Sequence, residues 1–141
     1  MTVHVQQTSI KQEIAHYVEQ NTRNKIVFCK TSIDGIQYIN VGCFVARLLQ
    51  AGVSALDACQ QLFAHQAYID EAIGRYLALD NVGILLEPEL KIDLRNLLDT
   101  QSKNQCLLIR SDAEITDDAF GWLSANSGIS FSLFGLSYRQ Y

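Results

Sequence analysis

The sequence predicts an α/β fold: one domain over residues 1–141, with a mainly parallel sheet of about five strands flanked by helices. Three observations carry the prediction. Short, near-continuous apolar runs such as Ile26-Val27-Phe28-Cys29 and Cys106-Leu107-Leu108-Ile109 have the composition of strands buried on both faces. Segments with helical apolar spacing separate such runs, which is the order of βαβ units. No low-complexity stretch, internal repeat or Pro/Gly/Ser-rich linker divides the chain, and its length buries about two-thirds of the unfolded surface.

Residues 9–21 read as a helix, with Ser9 and Gln12 as a capping box and Ile10, Ile14, Tyr17 and Val18 as its apolar stripe. Residues 25–29 are a buried strand. The turn-like residues 31–35 follow, and then a second strand candidate at 36–39. Five residues cannot make a parallel crossover, so these two strands either form a hairpin or one of them is loop. Residues 42–51 are helical and Gly52 stops them. A long helix then runs from Ser54 to about Leu79, with Leu56, Cys59, Phe63, Ile69, Ile73 and Tyr76 on its buried side. Residues 82–86 are the third strand, ended by Glu87, and Pro88 opens a leucine-striped helix to residue 101. Cys106 to Ile109 is the fourth strand. Thr116, Asp117 and Asp118 cap a short helix holding Phe120, Trp122 and Leu123. Ile129, Phe131 and Leu133 alternate with serines, the period of a half-exposed strand. The strands at 82–86 and 105–109 should be parallel neighbours, joined right-handedly by helix 88–101.

Composition narrows the function classes. A net charge of −4 with only 11 scattered Lys and Arg argues against autonomous nucleic-acid binding, which needs a dense basic face. Cys29, Cys43, Cys59 and Cys106 form no C-x-x-C pair and have no His at ligand spacing. They read as reduced core thiols rather than metal ligands. The N-terminal residues lack the pattern of a signal peptide, and no apolar run has the length of a membrane span. The expectation is a cytoplasmic protein without a membrane partner.

In open α/β sheets, ligands bind beyond the carboxyl ends of the strands. The candidates there are Lys30 and Thr31, Asn40, Glu87, and Arg110, Ser111 and Asp112. Lys30-Thr31 after an apolar strand has the ending of a phosphate loop. That loop needs G-x-x-x-x-G-K-[ST], and here its glycines are absent. Glu87 has the placement of an acid that holds magnesium, or of an acid beside a helix N-terminus. No G-x-S-x-G, histidine pair or carboxylate pair at catalytic spacing is present, so no catalytic residue, metal or cofactor is assigned.

The stretch from Leu79-Asp80-Asn81-Val82 through Leu86-Glu87-Pro88-Glu89-Leu90 to Leu94, with Leu97-Leu98 and Ser102-Lys103-Asn104 beyond it, resembles the BrxF P-loop protein family of BREX phage-defence systems. In that family an Asp/Asn pair precedes an apolar strand, an acid-Pro-Glu-Leu turn and a leucine-rich helix. Tyr38-Ile39-Asn40 is similar to its second strand, and the likeness covers about residues 36–110. It implies a P-loop-NTPase-like fold whose phosphate loop is missing and which associates with larger proteins in phage defence without turning over ATP. Two alternatives stand beside it. One is a nucleotide-binding or phosphotransfer enzyme with an unconventional site at Lys30, Thr31, Glu87 and Arg110. The other is an adaptor that binds nucleic acid through a local basic patch.

The last thirteen residues group Phe131, Leu133, Phe134, Leu136, Tyr138 and Tyr141. One face of a terminal strand points into a core, so some of these side chains should stay at the surface as anchors for a protein partner or a second copy. The tail folding back to close the core is the alternative.

Overall fold

The computed structural model describes residues 3–65, 67–112, 114–116, 118–123 and 128–141. Residues Ile26–Cys29 (β1), Tyr38–Asn40 (β2), Gly74–Asp80 (β4), Cys106–Arg110 (β5) and Tyr138–Gln140 (β9) form a parallel sheet in the order β2-β4-β5-β1-β9. A short strand, β3 (Tyr68–Asp70), adds to β4 in antiparallel sense. The fold is therefore α/β with a mainly parallel sheet, consistent with a P-loop-like architecture. Between β5 and β9 the chain makes a separate antiparallel meander of β6 (Glu114–Thr116), β7 (Ala119–Leu123) and β8 (Gly128–Ser132).

Alternating side chains of the central strands feed two cores. Ile26, Phe28, Leu77, Leu79, Leu107 and Ile109 face α2 (Val41–Gln50), α3 (Ala55–His65) and α4 (Leu94–Gln101), whose Val41, Val45, Leu62, Phe63, Leu94 and Leu98 close that side. Val27, Cys29, Ala78, Cys106 and Leu108 face α1 (Val3–Glu19), which brings Ile14 and Tyr17, and the loop residues Ile33 and Ile36. Burying each such Leu or Ile contributes about 1.5–3 kcal/mol. None of the helices among the described residues is long and apolar enough to cross a membrane.

Neither alternative for the first two strands holds: both are strands, and they do not pair as a hairpin. β1 and β2 lie in one sheet with β5 and β4 between them. Tyr38 pairs with Ala78, Ala78 with Leu108 and Leu108 with Val27, so the connection retreats by only two residues. It must span three strand spacings, about 14 Å. Eight residues reach about 26 Å, and Ile33 and Ile36 bury themselves on the way in place of a crossover helix.

The predicted helix 54–79 is three elements. α3 ends at His65, and the β3–β4 hairpin follows. Asp70 shapes its turn, since Oδ2 accepts the N–H groups of Ala72 (2.8 Å) and Ile73 (3.0 Å). Gly74 enters β4 at φ +84°, a conformation that side chains disfavour. The predicted strand 82–86 is instead a 3-10 segment, with Val82 and Leu85 buried at the three-residue spacing of that helix. The strand that neighbours β5 in parallel is β4, with Leu77 opposite Leu107 and Leu79 opposite Ile109. Helix 88–101 is also divided. Pro88–Leu90 makes a 3-10 turn, Lys91 is left-handed at φ 54°, and α4 starts only after Asp93, whose Oδ1 accepts the Asn96 N–H at 3.0 Å.

Two further differences concern the ends. α1 begins at Val3, which places Ser9 inside the helix rather than at its cap. The short helix expected after Thr116 is the strand β7, approached through Asp118 at φ 61°, and Asp117 lies outside the described residues. The predicted strand at 129–133 is present as β8, in the meander rather than the main sheet.

The amino end of the sheet is tied by a buried polar network. Asn24, fully buried, donates from Nδ2 to Asp99 Oδ1 (2.9 Å) and to Ser102 Oγ (3.0 Å). Its Oδ1 accepts the Ser137 N–H at 3.3 Å, and its backbone oxygen accepts the Tyr17 hydroxyl at 2.9 Å. Through one residue, α1, α4 and the segment leading into β9 are joined to the start of β1.

Candidate functional site

The parallel register brings the carboxyl ends of β1, β4 and β5 to one rim. Asp80 closes β4 and Arg110 closes β5. Arg110 Nε donates to Asp80 Oδ1 at 2.7 Å, and its Nη1 donates to the backbone oxygen of Lys30 at 3.1 Å. Asp112 Oδ1 stands 3.7 Å from the same guanidinium. One arginine thus links the ends of three strands. The hydrogen bond it donates to Asp80 raises its pKa further, so the guanidinium is a fixed charge. Both partners are partly exposed, at 27% and 36% of their side chains, so water screens the pair.

A second set of contacts fixes β2 to β4. Asn40 caps α2 by accepting the Cys43 N–H at 3.0 Å, and its Oδ1 also accepts from Asn81 Nδ2 at 2.9 Å. Asn81 is left-handed at φ 54°, which turns the chain out of β4, and its backbone oxygen accepts the Gly42 N–H at 3.1 Å. A Cβ on Gly42 would lie 2.4 Å from Asn81 Nδ2, so a side chain there would displace the exposed Asn81 amide.

Of the residues singled out in the sequence, Lys30 and Arg110 meet at the rim, and Thr31 follows Lys30 in the exposed loop. Glu87 does not end a strand. It lies exposed between the two 3-10 segments, and the acid at the strand end is Asp80. The signal for Asp80 is in the chain, as Tyr76-Leu77-Ala78-Leu79 followed by an acid, but the run also continues the helical spacing of the residues before it. Among the tail residues, Leu133 and Leu136 are core, Tyr138 packs edge-on against Phe28 at 5.9 Å, and the Tyr141 N–H bonds the Phe28 oxygen. Phe134 is 74% exposed. The Phe131 side chain lies outside the described residues.

Cys29 and Tyr38, near the rim, are held in their neutral forms. Burial pushes the Cys29 thiol up to about 11. Burial also raises Tyr38, to about 12, with Asp80 adding to the effect and the hydrogen bond from the Ile33 N–H opposing it. A thiol so raised carries little thiolate at neutral pH. The arrangement holds charge and positions backbone, and the Cys29 thiol within it is a weak nucleophile. Comparison of the chain with protein-family models, with curated proteins and with solved structures finds no match.

Proposed function

We propose that this chain is a non-catalytic, P-loop-like accessory subunit that acts by binding a protein partner, in phage defence. The Asp80–Arg110 pair carries the reading. In a P-loop enzyme an acid at such a strand end holds magnesium and the phosphate loop surrounds the phosphates. Here the acid is engaged by a guanidinium that also binds the first strand's exit at Lys30, and the loop lacks its glycines. The resemblance of residues 36–110 to the BrxF family supports the phage-defence setting, and the exposed Phe134 supports docking of a protein.

The competing reading, a nucleotide-binding enzyme, draws on the same placement of Asp80 at the end of an apolar strand. A hydrolysis assay with magnesium and ATP or GTP, run beside partner capture from the native host, separates the two. The proposal expects no turnover and a defined protein recovered with the wild type but depleted with Phe134→Ser. Turnover that disappears in Asp80→Asn would replace it with the enzyme reading.

A further inference from the structure

The two edges of the main sheet are finished differently. At β9, Arg139 Nη1 donates to the Tyr138 backbone oxygen at 2.9 Å, which takes an acceptor out of that edge. At the other edge, β3 pairs with β4 and with no second strand among the described residues. Open strand edges invite pairing with another chain, and proteins blunt them with charge, proline or a bulge. The centre of β3 carries no such guard. Its middle residue is Ile69, which is 86% exposed. Arg75, opposite Ile69 on β4, sends its Nε to Gln105 Oε1 at 3.4 Å and leaves the isoleucine uncovered.

The rest of β3 is ordered within its own chain. Tyr68 stacks on Tyr76, with ring centroids 6.0 Å apart. Asp70 Oδ1 pairs with Lys11 Nζ at 2.7 Å while its Oδ2 holds the turn, so the strand's carboxylate already has its cation. Antiparallel pairing with a second β3, about a two-fold axis at Ile69, would set the two exposed isoleucines side by side. The same register puts Tyr68 opposite Asp70 of the second copy and Ala67 opposite Glu71, so no acid faces an acid. An axis at Asp70 would oppose two carboxylates, and one at Tyr68 would waste Ile69 on Ala67. We infer that β3 is the contact of a homodimer, in which two copies join their sheets edge to edge about Ile69. With three residues a side in the ladder, the association is weak and concentration-dependent. It uses neither Phe134 nor the Asp80–Arg110 pair, so it stands or falls independently of the partner-binding reading.

Sedimentation of the full chain over a concentration series reads the association directly. The wild type should pass from the mass of one chain to that of two as concentration rises. Ile69→Lys should stay at one, with unchanged circular dichroism because the replaced side chain is exposed. Phe134→Ser should dimerise as the wild type does. Cross-linking then tests the register, in a Cys43→Ser background that removes the exposed native thiol. Oxidised Ile69→Cys should link two copies, since directly opposed residues of an antiparallel pair lie within disulfide reach. Tyr68→Cys should not, because it faces Asp70. Should Ile69→Lys fail to fold, the cross-links decide. A wild type that stays monomeric throughout would overturn the dimer and leave the edge to a strand of another protein. Equal dimerisation of Ile69→Lys, loss of the dimer in Phe134→Ser, or equal cross-linking of Tyr68→Cys would each overturn the assignment to β3.

Discussion

The two ends of the parallel sheet are built differently. At the amino end, Asn24 is buried and bonded to groups from α4 and the approach to β9, with the Tyr17 hydroxyl completing the set. At the carboxyl end, the principal polar contact is the half-exposed Asp80–Arg110 pair. Buried polar groups that lose a partner cost their full desolvation, whereas exposed ion pairs contribute little. The amino end therefore contributes more to holding the fold together than the carboxyl end does.

The largest effect should come from Asn24→Leu. It strands the Ser137 N–H and the Asp99 and Ser102 acceptors, and the expected loss is about 3 kcal/mol in urea denaturation. A loss under about 1 kcal/mol would erase the contrast between the two ends. Gly42→Ala comes next, at about 1 kcal/mol, because its Cβ would displace Asn81 Nδ2 from its hydrogen bond to Asn40. In an Asn81→Ala background that cost should shrink, since the clashing atom is gone, and strict additivity would show the contact to be irrelevant. Asp80→Asn should cost less than about 1 kcal/mol, as an exposed pair does.

These sites were unequally legible in the sequence. β1 and β5 announced themselves because both faces of each are covered, which leaves an uninterrupted apolar run. β4 was hidden because Tyr76-Leu77-Ala78-Leu79 continues the apolar spacing of α3, and the break between them rests on an Asp70 turn and the φ of Gly74. With β4 concealed, Glu87 after the apolar run 82–86 stands out as the strand-end acid in place of Asp80. Lys30 and Arg110 were found from position alone, since they follow the two clearest strands. β9 has three residues and lies at the sheet edge, too short for any period to show. The Asn24 network leaves no local signal in the sequence, because the partners of its side chain are 75 or more residues away.

The smallest effect concerns acid. The hydrogen bond from Asn24 holds Asp99 below the usual carboxylate range, with Arg23 adding to it. A carboxylate depressed in the folded state contributes stability that is present above its unfolded pKa, near 3.9, and lost as pH falls through the folded value. Denaturation midpoints of the wild type should therefore decline more steeply below about pH 4 than those of Asp99→Asn. Parallel profiles would remove Asp99 from the amino-end network's pH response.

The central claim is that Arg110 occupies the place at the carboxyl rim where a nucleotide's metal would be held. Calorimetric titration of the full chain with ATP and magnesium, in parallel with Asp80→Asn, tests it most directly. The account predicts no binding heat in either protein. A micromolar affinity in the wild type that vanishes in Asp80→Asn would contradict it.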